Sequence, residues 1–250
     1  MKIAIIGIDG SGKSSCYRNV IKKLSKEKIA GIGDIIFLSK SSGLKLKDIN
    51  YTKVEDLIGK NSKNIVNREL YKLMKLSDLI LKSKIHEQIE KANKTDFIVT
   101  EGSPLINTIA WGMYYRPNLF TKRRCQKVIS YLSEKRIPLF IGLYYLFKIP
   151  EVYFINRLGI KLQKPDIVFF LKVNPKKSLE RISKRGKKRQ IHETLKFLTM
   201  LQDNYEKVCS VLKENTKINV INTDNKSLNQ VSSIIYNKIK KPLSLRFLDA

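Results

Sequence analysis

Acidic charge, cysteine and long apolar runs are all scarce in this chain, and each shortage narrows what it can be. The 250 residues carry 22 Asp and Glu against 49 Lys and Arg, a formal net charge of +27. The lysines are spread along the whole chain among Ile and Asn, with no Arg-rich block. That distribution reads as compositional bias with an anionic small substrate as one contributor, and it leaves dedicated nucleic-acid binding as a secondary alternative. The three cysteines, Cys16, Cys125 and Cys209, are far apart, odd in number and in no CxxC pair. They argue against a disulfide framework or a zinc site and fit a reducing cytoplasm. The two histidines, His86 and His192, stand alone in Lys-rich stretches and read as surface residues. No run approaches the roughly 20 apolar residues of a membrane-spanning helix. The longest candidate, "IPLFIGLYYLFKIP" at 137–150, is short and has Pro near both ends, so no membrane partner is expected. The apolar start of the chain is broken by Gly7, Asp9 and Gly10 too early for a signal peptide.

What is present is a regular alternation. "KIAIIG" (2–7) is a continuous apolar run suited to a strand buried on both faces, and the segment after residue 13 has helical apolar spacing. Further strands are expected at 34–39, 96–102, 165–173 and 217–223, with a long amphipathic helix over 68–92 and helices after 175, 192 and 228. The pattern predicts an α/β fold whose five-stranded parallel sheet is covered by helices on both faces. One domain over 1–242 is expected, including a mostly helical segment at about 110–164, followed by a tail at 243–250.

Between the first strand and first helix lies "GIDGSGKSS" (7–15), in which Gly7, Gly12, Lys13 and Ser14 fit G-x-x-x-x-G-K-[ST]. Composition alone yields such a match in on the order of one chain of this length per hundred, and here it sits in the strand-to-helix context it needs. A backbone curled at its glycines points successive N–H groups at phosphate oxygens, and the helix N-terminus adds its positive end. Gly7, Asp9, Gly10, Ser11, Gly12, Lys13, Ser14 and Ser15 are the predicted nucleotide-binding set. Lys13 would reach the β- and γ-phosphates of ATP and the Ser14 hydroxyl would ligate Mg²⁺. Glu101 ends the third strand, where a carboxylate faces the ligand crevice of an open α/β sheet. It could hold Mg²⁺ through water, orient an acceptor, or be a plain capping carboxylate.

The order of P-loop, "VTEGSP", "PDIVFFLKVNPKKSLERI", the basic "RISKRGKKRQIHE" and "INVINTDNKSLNQV" resembles the thymidylate kinase family of nucleoside monophosphate kinases. The resemblance implies a P-loop kinase fold with a basic lid, Mg·ATP as phosphoryl donor and a small-molecule nucleotide as acceptor. It places Asp9 near the acceptor sugar and puts Arg181, Arg185 and Arg189 in the stretch that closes over the transferred group. It also sets Asn222 and Thr223 of "INTDNK" against the adenine, although the same residues read as an ordinary Asn/Asp turn. A solvated basic helix end accounts for one or two of the same arginines. Dimerisation is common in the resembled family, which leaves a homodimer open.

The acceptor half departs from the family. Glu101-Gly102 replaces its Asp-Arg pair, "FLSKSSG" offers only Lys40 where an Arg contacts the acceptor phosphate, and "KLSDLILK" lacks the usual helix Arg. Lys neutralises phosphate as a point charge but does not reproduce a bidentate fork. Trp111, Tyr114 and Arg116 are candidate substrate contacts, although aromatic residues followed by cations also describe a packed helix with a solvated face. "PLFIGLYYLF" could line a pocket, dock a subunit or be core, and core is the preferred reading. A hydroxyl-phosphorylating kinase and a non-catalytic ATP-binding or nucleic-acid-associated protein are the alternatives to a monophosphate kinase.

Overall fold

Short Ile- and Val-rich runs, apolar at every position, form the centre of the molecule. The computed structural model describes residues 1–24, 29–32, 35–38, 77–78, 80–81, 83–84, 87, 97–186, 190 and 192–248. Chain order is β1 (Lys2–Ile6), α1 (Lys13–Leu24), β2 (Ile29–Ile32), β3 (Ile35–Leu38), β4 (Phe97–Glu101), α2 (Pro104–Tyr115), a 3-10 turn (Pro117–Leu119), α3 (Lys122–Ser133), α4 (Leu139–Lys148), α5 (Pro150–Arg157), β5 (Ile167–Lys172), α6 (Pro175–Lys184), α7 (Leu195–Leu212), β6 (Lys217–Asn222) and α8 (Leu228–Leu248). The described residues between 77 and 87 are helical, within the span expected for the long amphipathic helix.

The sheet order is β2-β3-β4-β1-β5-β6. Strands β4, β1, β5 and β6 are mutually parallel, with Ile3 opposite Val99 on one side and Ile167 on the other. The expected five parallel strands are therefore four. Within the 34–39 run Ile35–Leu38 does form β3, but it pairs antiparallel with β4 and with β2. The connection between Ile32 and Ile35 is too short for the crossover a parallel pair requires.

Residue parity along β1 divides the core. Ala4 and Ile6 join Val168, Phe170 and the helices α2, α3, α5 and α7, whereas Ile3 and Ile5 join Phe169, Leu171, α1 and α8. Helices thus cover both faces, and the carboxyl ends of the parallel strands share one edge. Helix α8 runs on to Leu248, into the stretch expected as a tail.

Segment 110–164 contributes the end of α2 and all of α3, α4 and α5. Pro150 stops α4 and starts α5, since it has no N–H to continue the first helix and suits the opening turn of the second. The reading of "PLFIGLYYLF" as core is corrected. Only Gly142 and Tyr145 of α4 are buried, while Leu139, Phe140, Leu143 and Phe147 face out. A short helix that is apolar all round can press only one side onto its neighbour, and here that side meets α5.

Candidate active site

β1 leads directly into the P-loop, which turns back into α1. At Gly10 (φ +77°) an added Cβ would lie 2.6 Å from the Ser178 carbonyl oxygen, so only glycine lets the loop lie against α6. The Ser178 hydroxyl donates to the Asp9 carbonyl. Arg181 donates to the Gly10 carbonyl at 3.4 Å and to the Thr223 carbonyl at 2.9 Å. The back of the loop is thus held by α6, and the loop is joined to the segment after β6.

The front of the loop is open. A Cβ on Gly12 would meet nothing within 4 Å. Lys13, Ser14 and Ser15 form the first turn of α1, whose N–H groups have no acceptor within the helix. The Ser11 hydroxyl is buried without a hydrogen-bond partner among the described residues. Open space, unpaired first-turn amides and a buried unpaired hydroxyl suit a bound phosphate chain. The Ser14 hydroxyl donates to Glu101 at the end of β4, so the two expected metal ligands, 87 residues apart, meet side by side. A hydroxyl beside a carboxylate is the oxygen-only donor set that Mg²⁺ takes when phosphates complete its shell.

Lys13 Nζ lies 3.0 Å from Asp9 Oδ1, and His192 Nε2 lies 2.9 Å from Asp9 Oδ2. Burial alone would push the Asp9 carboxyl up, but the Lys13 charge and then His192 outweigh it and hold it well below the usual carboxylate range. Burial likewise opposes protonation of Lys13, and the charges of Asp9 and Glu101 overcome it, so its pKa is raised although the Arg185 charge works against them. A depressed carboxylate stabilises the fold above its unfolded value of 3.8 and loses that contribution as pH falls through the lower folded value. A raised amine stabilises below 10.5 and loses its contribution as pH rises through the higher folded value. The stability difference between the native protein and Asp9→Asn should be constant at neutral pH and shrink in acid below that carboxylate value. Thermal melts of both proteins across pH would check this, and a difference that persists unchanged in strong acid would refute it.

His192 corrects the surface reading. It precedes α7, which starts only at Leu195 after the Thr194 cap, and His192 and Glu193 just before that cap are buried. The ring is buried edge-on to Trp111 and tilted against Phe197, both at 5.3 Å between centroids. Glu193 is fully buried and accepts from Arg185 at 2.6 Å and from the Gln190 amide at 2.7 Å. The Arg185 guanidinium is thereby held near Lys13, close enough for its charge to act on it. Sequence reasoning missed both residues. A signal existed for one of them, because Glu193 is the only acid between Glu180 and Asp203 in a basic stretch.

Among the acceptor-side candidates, Trp111 stands beside His192 and so borders the Asp9 cluster. Tyr114 packs on Phe197 at 4.3 Å between centroids, and Arg116 forms an ion pair with Glu151 of α5. The structure therefore brings Trp111 to the site and turns the other two towards helix packing. Asn222 accepts from the Asp224 amide at 2.8 Å, an ordinary Asx turn, and Thr223 lies beneath Arg181. Arg189 and Lys40 lie outside the described residues, as does His86. Gly102 has φ +84°, a conformation that favours glycine and turns the chain from β4 towards the Ser103-capped α2.

A family model described as thymidylate kinase matches residues 144–241, a stretch from within α4 into α8 that leaves the P-loop outside it. A comparison with curated proteins returns no match. Among solved structures, thymidylate kinase from Candida albicans superposes with TM-score 0.55 at 18% identity, over 96% of this chain and 91% of that one. Deoxyadenosine kinase from M. mycoides with bound dCTP gives TM-score 0.52 at 18% identity, over 96% and 100%. At that identity the superpositions speak for the fold, and the partial family match speaks for the C-terminal half. Together with the P-loop motif and its open cradle, they give this chain the P-loop kinase fold, with a C-terminal stretch similar to thymidylate kinase.

Proposed function

We propose that the chain transfers the γ-phosphoryl group of Mg·ATP to a nucleoside monophosphate. The contact between Ser14 and Glu101 carries the reading, because it joins the P-loop to an acid at the crevice end of β4. First-turn amides of α1 and the Lys13 ammonium would hold the β- and γ-phosphates, and Ser14 and Glu101 would hold the metal. Mg²⁺ supplies charge neutralisation between those phosphates. Charge spreads over the phosphoryl oxygens during transfer, so Lys13 and Arg185 would stabilise it, with Arg189 as a further lid cation. Arg181 would steady the loop from behind, beside the adenine-side residues Asn222 and Thr223. Trp111 would border the acceptor, with Tyr114 and Arg116 further out, Lys40 would neutralise the acceptor phosphate, and Asp9 would orient the acceptor. The three cysteines are buried and unpaired, which suits the cytoplasm.

Asp9 favours a monophosphate acceptor. A carboxylate held well below its usual range by Lys13 and His192 is a poor base, and an ionised monophosphate needs none. A nucleoside hydroxyl acceptor is the second reading, favoured by the superposition on deoxyadenosine kinase. ADP production should be measured with Mg·ATP and a panel of nucleosides and nucleoside monophosphates, with Lys13→Ala as blank. Turnover confined to monophosphates supports the proposal. Turnover with nucleosides alone selects the second reading, and ATP binding without any acceptor-dependent turnover refutes both.

A further inference from the structure

The outer face of α4 and α5 carries large apolar side chains in water. Phe140 is 86% exposed, Leu139 80% and Phe147 77%, and Leu143, Phe154 and Leu158 are also exposed. On α4 these residues fall at i, i+1, i+4 and i+8, one stripe of a helix opposite its buried Gly142 and Tyr145. The stripe is rigidly mounted. Gly142 of α4 faces α5, where an added Cβ would lie 3.2 Å from the Arg157 guanidinium and 3.5 Å from the Tyr153 ring. The buried Asn156 of α5 clamps the end of α3, donating to the Lys135 carbonyl at 2.7 Å and accepting from the Ile137 amide at 2.9 Å. A contiguous exposed apolar face on a fixed support marks an interaction surface.

Its rim is basic. From residue 121 to 164 there are ten Lys and Arg against two Glu. Both acids are engaged, Glu134 with Lys164 at 3.4 Å and Glu151 with Arg116. Exposed Lys135 and Arg136 precede α4 and Lys148 ends it, while Arg124 lies over the Tyr144 ring at 5.7 Å. Two copies meeting through this face would set one basic rim against another, in a chain whose net charge is already +27. An anionic bilayer satisfies both features, taking the Phe and Leu side chains into its interfacial region and the Lys and Arg side chains at its headgroups. No helix among the described residues is long and apolar enough to cross a membrane, so the contact is one of lying on the surface.

We propose that the α4–α5 face docks this protein onto an anionic lipid bilayer. The test is co-sedimentation of the full-length protein with phosphatidylcholine vesicles, with and without about 30% phosphatidylglycerol. Binding is expected only with the anionic lipid and should weaken as salt rises. Phe140→Ser/Phe147→Ser should lower vesicle affinity roughly tenfold or more while leaving the melting temperature unchanged, since both side chains are exposed. Phe147→Trp should gain a blue-shifted emission on anionic vesicles that the parent protein does not show. Absence of vesicle binding overturns the proposal. So does equal binding by the double serine variant, which would reduce the effect to lysine electrostatics. A dimer in sedimentation that the same variant dissolves would assign the face to a second copy instead and equally overturn it.

Discussion

Lys13→Ala is expected to lower phosphotransfer by on the order of a thousandfold while leaving the fold nearly as stable. Lys13 is the first residue of α1 and its ammonium stands beside Asp9, at the mouth of a loop whose front is open. A phosphoryl group in transfer gains charge on its oxygens, and a cation already in place costs no reorganisation at that moment. The folded state depends on it far less. The Lys13–Asp9 pair is partly exposed, at 21% and 30% of the two side chains, and pairs in such settings contribute about 1 kcal/mol or less. Single-turnover rates combined with thermal melts separate the two effects. A variant that retains most of the rate would remove Lys13 from the chemistry. One that loses rate and melting temperature together would make it a structural residue.

The parts of this site that are local in the chain were the parts legible in its sequence. Gly7 to Ser15 follow one another, so their spacing specifies a loop geometry, and the strand and helix on either side of it are apolar patterns of the ordinary kind. Glu101 was also legible, because strand ends in a parallel sheet face the crevice and the hydroxyl it meets is fixed by the motif. His192 was not. Its burial depends on Trp111 and Phe197 closing around it and on Asp9, 183 residues away, offering a partner, and none of this leaves a local pattern. The direction of β3 depended on a strand before it that the apolar pattern at 29–32 did not announce. For α4, an all-apolar helix identifies its type without saying which side the fold leaves uncovered. The proposed acceptor side is least legible for the same reason, since Trp111 and Asp9 converge on His192 only through tertiary packing.

Glu101→Gln should reduce turnover by on the order of a hundredfold, and the manner of the loss would distinguish the two acceptor classes. The substitution keeps the shape and a hydrogen-bond acceptor for the Ser14 hydroxyl, so the β4 end and the first turn of α1 should hold their positions. What it removes is a negative charge beside Lys13, one of the two that raise the Lys13 pKa. If Glu101 serves the metal and the acceptor is an ionised monophosphate, the variant should demand more Mg²⁺, and part of its rate should return as the metal is raised. The pH–rate profile would then keep its shape. If the acceptor is a hydroxyl, Asp9 is too weakly basic to take its proton and Glu101 is the carboxylate left to do so. In that case added metal restores nothing, because the carboxylate that was lost is the proton acceptor itself. An unchanged rate at every Mg²⁺ concentration would mean that the Ser14–Glu101 contact is only a helix-to-strand tie, and the metal would have to be sought elsewhere around the loop.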